Sequence, residues 1–285
     1  MWDRLARLDR RYIFLVIALV VVVPSIVLIP GPVPVSPATR AAFQSLENLD
    51  EGQVVLLSFS YGPSSMAEVQ PQADAVLRHA FRRRLRVLLI SIWPDAAPLA
   101  SEGLRKVVES DEFQGPGGRS RLRDGVDYVN LGYRVGTTNL ILQMGINLPQ
   151  FIVRDVRGER LESLPVMQGV RNYDDIAMVF DFGAGDSPEW WIVNGRGRYG
   201  VRIAAGVTGV IVSQLYQYLD SGQLVGLVAG GVGAAEYEAL LNAPAEGTRR
   251  VSVLSYVHFL ILLLVVLANV LYVRERRRAS EGASP

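Results

Sequence analysis

Residues 12–30 and 251–273 are two long stretches without charge, and between them lie 220 residues of mixed polarity. At 19 and 23 residues, both match the roughly 20 residues that an α-helix needs to cross ~30 Å of hydrocarbon. The pattern predicts two transmembrane helices with one domain held between them. That domain must therefore build its own core and hand the chain back to the bilayer. Pro24 falls inside the first stretch, where a kink or a neighbouring helix accommodates it. A cleaved signal peptide fits 12–30 poorly, because the apolar stretch exceeds the usual ~7–15 residues and no small-x-small cleavage site follows. A retained signal anchor is expected.

Basic residues flanking a span tend to stay in the cytoplasm. The 1–11 tail carries Arg4, Arg7, Arg10 and Arg11 against Asp3 and Asp9, and the 274–285 tail carries Arg274, Arg276, Arg277 and Arg278 against Glu275 and Glu281. Each tail nets +2, so a chain total of +1 leaves −3 for residues 31–250. Arg249 and Arg250 oppose this asymmetry but are outnumbered. The expected placement is a two-pass plasma-membrane protein with both tails cytoplasmic and an extracytoplasmic domain. Its partners would be the lipid bilayer and a membrane protein or a second copy. Nucleic acid is not expected, because the arginines are scattered and offset by acids. Lys106 is the only lysine among 29 basic residues, a bias read as the coding composition of a GC-rich, bacterial genome. The absence of cysteine excludes disulfides, thiolate metal sites and a cysteine nucleophile. About 200 residues bury enough core to fold without crosslinks.

Residues 31–46, Pro-rich at the start, read as a stiff linker, and the α/β domain is placed at 47–246. Val54–Ser60 is a short apolar run ending in Tyr61-Gly62-Pro63, a buried strand and a turn. A helix over 66–84 follows, with Ser65 and Glu68 at the spacing of a capping box and Pro71 as an alternative first turn. A strand over 87–93 and a helix to about Ser110 come next. Residues 111–125, with Gly115-Pro116-Gly117-Gly118, read as a mobile loop. Strands at 128–133 and 176–181, a small hairpin after Phe151, a helical start over 138–143 and a further strand within 201–212 complete the order. Alternating strands and helices require crossovers, which place helices on both faces of a mostly parallel sheet. The expected fold is α/β, a Rossmann-like or flavodoxin-like three-layer domain flanked by two transmembrane helices. Such a fold carries no function by itself.

Gly222, Gly226, Gly230 and Ala234 recur every four residues. On one helix over 221–241 they form a small-residue face, suited either to helix–helix contact in an assembly or to close packing on the domain's own sheet. The alternative is a strand over 224–230 opening through Gly231-Val232-Gly233 into a helix. As a dinucleotide motif this is deficient, since Glu236 stands where the third glycine belongs and no Lys-Ser/Thr follows. No cofactor is expected.

Two histidines, His79 and His258, leave little for nucleophilic or zinc catalysis. His79 is expected on the surface of an arginine-rich helix. His258 lies within the second stretch, where an ionisable group reaches the interface or faces another helix. Open parallel sheets bind ligands beyond the carboxyl ends of their strands. Candidate ligand-binding residues are therefore Tyr61, Asp95, Tyr133, Asp181, Asp186 and Glu189, with Ser60, Trp93 and Thr208 beside them. Asp181, Asp186 and Glu189 suit a hard cation or an acid–base pair, or are solvated. Of the adjacent Trp190 and Trp191, either one is exposed and suited to protein contact or the lipid interface, or one fills the core while the other covers a loop. The leading expectation is a non-catalytic membrane subunit whose domain binds a protein or small ligand. The alternative is an extracytoplasmic carboxylate- or metal-dependent hydrolase.

Overall fold

The computed structural model describes residues 9–27 and 31–281. Arg4 and Arg7 of the first tail, the last three residues of the 12–30 stretch and residues 282–285 lie outside the described residues. The chain forms two compact units. One is Val33–Gly247, and the other joins Met1–Pro32 with Thr248–Pro285.

In the larger unit α2 (Pro37–Glu47; α1 is described below with the second unit) precedes β1 (Val54–Ser60), α3 (Met66–Arg82), β2 (Arg86–Ser91), α4 (Ala96–Val108), β3 (Tyr128–Tyr133) and α5 (Thr137–Phe151). Then come β4 (Met178–Gly183), α6 (Ser187–Trp191), β5 (Ile203–Val207), α7 (Val212–Asp220), β6 (Gly226–Ala229) and α8 (Gly230–Leu240). The six strands form one all-parallel sheet in the order β3-β2-β1-β4-β5-β6, the order of a doubly wound Rossmann-like sheet. Period-2 alternation sorts the strand residues onto two cores. Val54 and Leu56 join Leu140, Met144, Trp191 and Leu215 on one face. Val55, Leu57 and Phe59 join Leu46, Val76, Leu104 and Tyr237 on the other. Burial on both faces explains why β1, β2 and β4 read as mostly apolar runs, interrupted by Ser58, Ser60 and Asp181.

Several expectations are corrected. The segment expected as a linker over 31–46 contains α2. Ser36 is its N-cap, accepting from the Thr39 N–H at 3.3 Å, and Pro37 opens the helix, a start signal that the proline-rich composition hid. Gly222, Gly226, Gly230 and Ala234 do not share a helix face. Gly222 occupies a turn at φ +73°, Gly226 begins β6, Gly230 opens α8 at φ +58°, and only Ala234 is helical in mid-element. The strand-to-helix alternative is the observed one, because a Cβ on Gly226 would fall on the backbone of Ala42 in α2. His79 is not on the surface. It is 1% exposed, with Nε2 2.6 Å from Glu47 and Nδ1 2.9 Å from the Tyr237 hydroxyl, and its ring stacks on Phe43. Burial depresses its pKa, so a neutral imidazole links α2, α3 and α8.

Ser65 caps no backbone amide. Glu68 accepts instead from the Gly209 N–H at 2.8 Å. The loop over 111–125 is tied down by a turn at Asp111–Phe113 and a bridge between Gln114 and Ser120. The hairpin after Phe151 reduces to a single bridge, Arg154 to Arg160.

Two buried carboxylates of α8 hold both ends of this unit. Glu236 Oε2 accepts from the Ser36 hydroxyl at 2.6 Å and its N–H at 3.2 Å. Glu238 accepts from the Ala245 and Gly247 N–H groups, both at 2.8 Å. Glu238→Ala should strip two charge-assisted hydrogen bonds from a site only 2% exposed and lower stability by about 3 kcal/mol. Urea unfolding would read the loss, and hydrogen exchange should show the amides of 245 and 247 deprotected first.

In the second unit α1 (Arg10–Ile26) contains Pro24, and α9 (Glu246–Glu281) runs 36 residues. Arg249 Nη1 donates to the Ser25 carbonyl at 2.9 Å, a cation at the negative end of the α1 dipole. Glu246–Arg274 is the one helix among the described residues that is long and apolar enough to cross a membrane, its most apolar 18 residues having a mean hydropathy of 2.6, and α1 is shorter than that criterion.

Candidate functional site at the strand carboxyl ends

The chain leaves β1 toward β2 and β3 on one side, then returns to place β4 on the other. The carboxyl ends of β1 and β4 therefore flank the topological switch point, where doubly wound sheets open a crevice. Asp181 lies here, directly opposite Ser58 in the register. It is fully buried, and its Oδ2 accepts from Ser187 Oγ at 2.6 Å. Ser60 Oγ approaches Oδ1 at 3.5 Å, and Trp191 Nε1 donates to Ser58 Oγ at 2.9 Å. Burial raises the Asp181 pKa to about 6, partly offset by hydrogen bonds from Ser187, Ser58, Ser60 and Trp191. Gly183 lets α6 approach this closely, since a Cβ there would fall on Ser187 Oγ. The helix continues through a π-turn, Ile192–Arg196, and Trp191 fills the core while Trp190 packs against it partly buried.

The other expected residues are dispersed. Tyr61 is fully buried and donates to Gln70 Oε1 at 2.6 Å. Gln70 in turn donates to Asp74 at 2.7 Å, and Lys106 reaches Asp74 at 3.0 Å. The Tyr61 hydroxyl is thus committed within the fold and unavailable to a ligand. Asp95 and Asp186 are exposed on loops, Tyr133 is exposed at the end of β3, and half-buried Glu189 meets the Tyr218 hydroxyl at 3.4 Å. Asp181, Asp186 and Glu189 do not converge, and among the described residues no group of three or more His, Cys, Asp or Glu is placed to hold a metal.

At the β6–α8 turn, Glu68 takes the space that a phosphate would need. Its Oε2 bonds the Gly209 N–H and lies 3.0 Å from where a Gly230 Cβ would sit. A fixed carboxylate at a helix N-terminus satisfies the dipole and repels an anion. Beside it, Gln72 Nε2 donates to the Val207 and Gly230 carbonyls at 3.0 and 2.9 Å, joining the ends of β5 and β6.

The carboxyl edge also presents exposed apolar side chains from five of its six strand-to-helix connections: Met66, Trp93, Tyr133 with Val135, Val210 and Val232. Val135 is 77% and Val210 82% exposed. Trp93 reaches toward Gly185 in the β4 connection, the sixth. By contrast, a hollow of about 690 Å³ at the amino edge is lined by Glu51, Arg82, Arg84, Arg86, Glu112 and Asp127. Its arginines are engaged, Arg84 with Glu51, Arg82 with Glu112, and Arg86 with the Gly52, Val166 and Gln168 carbonyls. Of the carboxyl edge, sequence reasoning singled out Trp93 and Tyr133 but not Met66, Val135, Val210 or Val232. Lone apolar residues in loops carry no periodic signal. Ser187 was missed too, although its place after a strand and before proline marks a helix start. No family model matches the chain and no curated protein matches it.

Proposed function

We propose that this is a two-span protein of the plasma membrane, with both termini cytoplasmic, that presents its α/β unit outside the cytoplasm for binding a protein or small ligand. It acts as a non-catalytic subunit of a membrane assembly. The observation that carries this reading is the apolar carboxyl edge, where exposed apolar side chains come from five connections and the charged groups are few, Asp95, Arg134 and Asp186 in the connections and Glu68 held against the Gly209 N–H. Exposed aromatic and aliphatic groups in that arrangement mark interaction surfaces. The apolar helix Glu246–Arg274 and the basic residues after it support the placement.

The single lysine gives a direct test of orientation, because the Lys106 side chain is 59% exposed. An impermeant amine reagent applied to intact spheroplasts should label Lys106, and Lys106→Arg should abolish that labelling. Labelling only after lysis would refute the extracytoplasmic placement. At the edge itself, the double variant Trp93→Asp/Val210→Asp should keep the urea midpoint unchanged while losing any partner that copurifies in mild detergent. Retention of that partner would move the binding surface elsewhere.

A further inference from the structure

Within the apolar part of α9, Ser255, His258, Asn269 and Tyr272 lie on one face, while Ser252 and Tyr256 lie off it. Ser255, His258, Leu262, Val265, Asn269 and Tyr272 follow one another at alternating intervals of three and four residues, the a/d spacing of a heptad seam. All six are exposed. Leu260, Leu264, Leu267 and Leu271, spaced in the same way on the opposite side of the helix, are partly covered instead. The covered side is that of Leu260, which with Tyr256 lines an apolar groove shared with Leu19, Val23 and Pro24 of α1. The helix thus has one aliphatic seam turned to its own unit and one polar seam left open. Asn269 Nδ2 donates to the Val265 carbonyl at 2.8 Å, and its second N–H and its carbonyl oxygen have no partner among the described residues. His258 has no hydrogen bond among the described residues.

We infer that the open seam is a homodimer interface, at which α9 of one copy packs in parallel against α9 of a second. The inference rests on the proposed function in one respect, that α9 spans a bilayer. Lipid chains offer no hydrogen bond, so an amide and an imidazole facing them are costly, whereas a helix partner satisfies them. The occupant is a second copy because the seam complements itself. Two copies inserted in the same direction bring Asn269 to Asn269 and His258 to His258 at matching depth. An amide carries both a donor and an acceptor, and the two ring nitrogens of an imidazole can serve as one of each. Any other span would need polar groups at the same two depths.

The chain contains no cysteine, so single-cysteine variants of the full-length protein report without background. In native membranes under mild oxidation, Leu262→Cys and Val265→Cys should form disulfide-linked dimers, and Leu264→Cys on the covered seam should not. Adding Asn269→Leu to Val265→Cys should lower the dimer yield about five- to tenfold, while Asn269→Gln retains it. Equal crosslinking at all three positions, or a yield indifferent to Asn269→Leu, overturns the seam. An alkaline carbonate wash separates the two failures. If the chain is extracted, the spanning reading falls and the seam with it; if it stays in the membrane and only Leu264→Cys crosslinks, the seam alone is wrong.

Discussion

Gly226→Leu unseats α2 and destabilises the larger unit by about 3 kcal/mol, at the upper end of the usual cost of overpacking. A Cβ on Gly226 would fall on the N, Cα and Cβ of Ala42. Two of those three atoms are backbone, so no rotamer change relieves the contact, and the helix itself must move. Ala42 and Leu46, which α2 buries in the core, would lose their packing, and the tie between Ser36 and Glu236 at the head of the helix would loosen with them. Gly222 provides the control. Nothing lies within 4 Å of a Cβ built there, but its φ is +73°, so Gly222→Ala should cost only about 1 kcal/mol of backbone strain. Urea titration of both variants, followed by tryptophan fluorescence, would give the two numbers. A Gly226→Leu protein with an unchanged midpoint that had lost an associated membrane protein would instead restore the helix-contact reading of this glycine.

The same glycines show what the sequence could reveal and what it could not. Spacing by fours is a helical signal, yet a strand, a turn and a helix in succession produced it by chance. The choice between the two readings depended on Ala42, a residue 184 positions away from Gly226. The sheet was legible because parallel strands covered on both faces must be apolar throughout, as in the Val54–Leu57 and Val87–Ile90 runs. Linker and surface assignments failed for a related reason. A proline-rich start concealed the N-cap of α2, and the arginines around His79 concealed that its own position faces inward, toward Tyr237 and Phe43. Composition describes a segment's average environment, while burial is decided one side chain at a time. For the candidate site, alternating strands and helices gave the parallel order that defines the carboxyl ends. Tyr61 instead turns to Gln70 on the helix that follows it, a contact that spacing does not reveal.

Asp181→Asn should stabilise the protein at neutral pH and remove a pH dependence that the parent chain shows. Burial raises the pKa of this carboxyl from 3.8 to about 6, so the folded state favours the protonated form relative to the unfolded chain. The corresponding stabilisation is fully present below pH 3.8 and is lost as pH rises through about 6. The difference amounts to about 3 kcal/mol between pH 4 and pH 8. Below pH 4 the neutral acid and the amide should be nearly equivalent, since Asn Oδ1 can still accept from Ser187. Above pH 7 the parent carries a buried charge held by the Ser58, Ser60 and Ser187 hydroxyls and the Trp191 indole, with no ion pair to Asp181 among the described residues. Other carboxylates titrate over the same range, and Asp74 is shifted upward by burial as well, so the informative quantity is the stability of the variant minus that of the parent at each pH. That difference should be near zero at pH 4 and rise to its plateau by pH 7.5. A difference that stays flat across the range would mean that Asp181 ionises as an ordinary carboxylate, and that the Ser58, Ser60 and Ser187 hydroxyls compensate its burial in full.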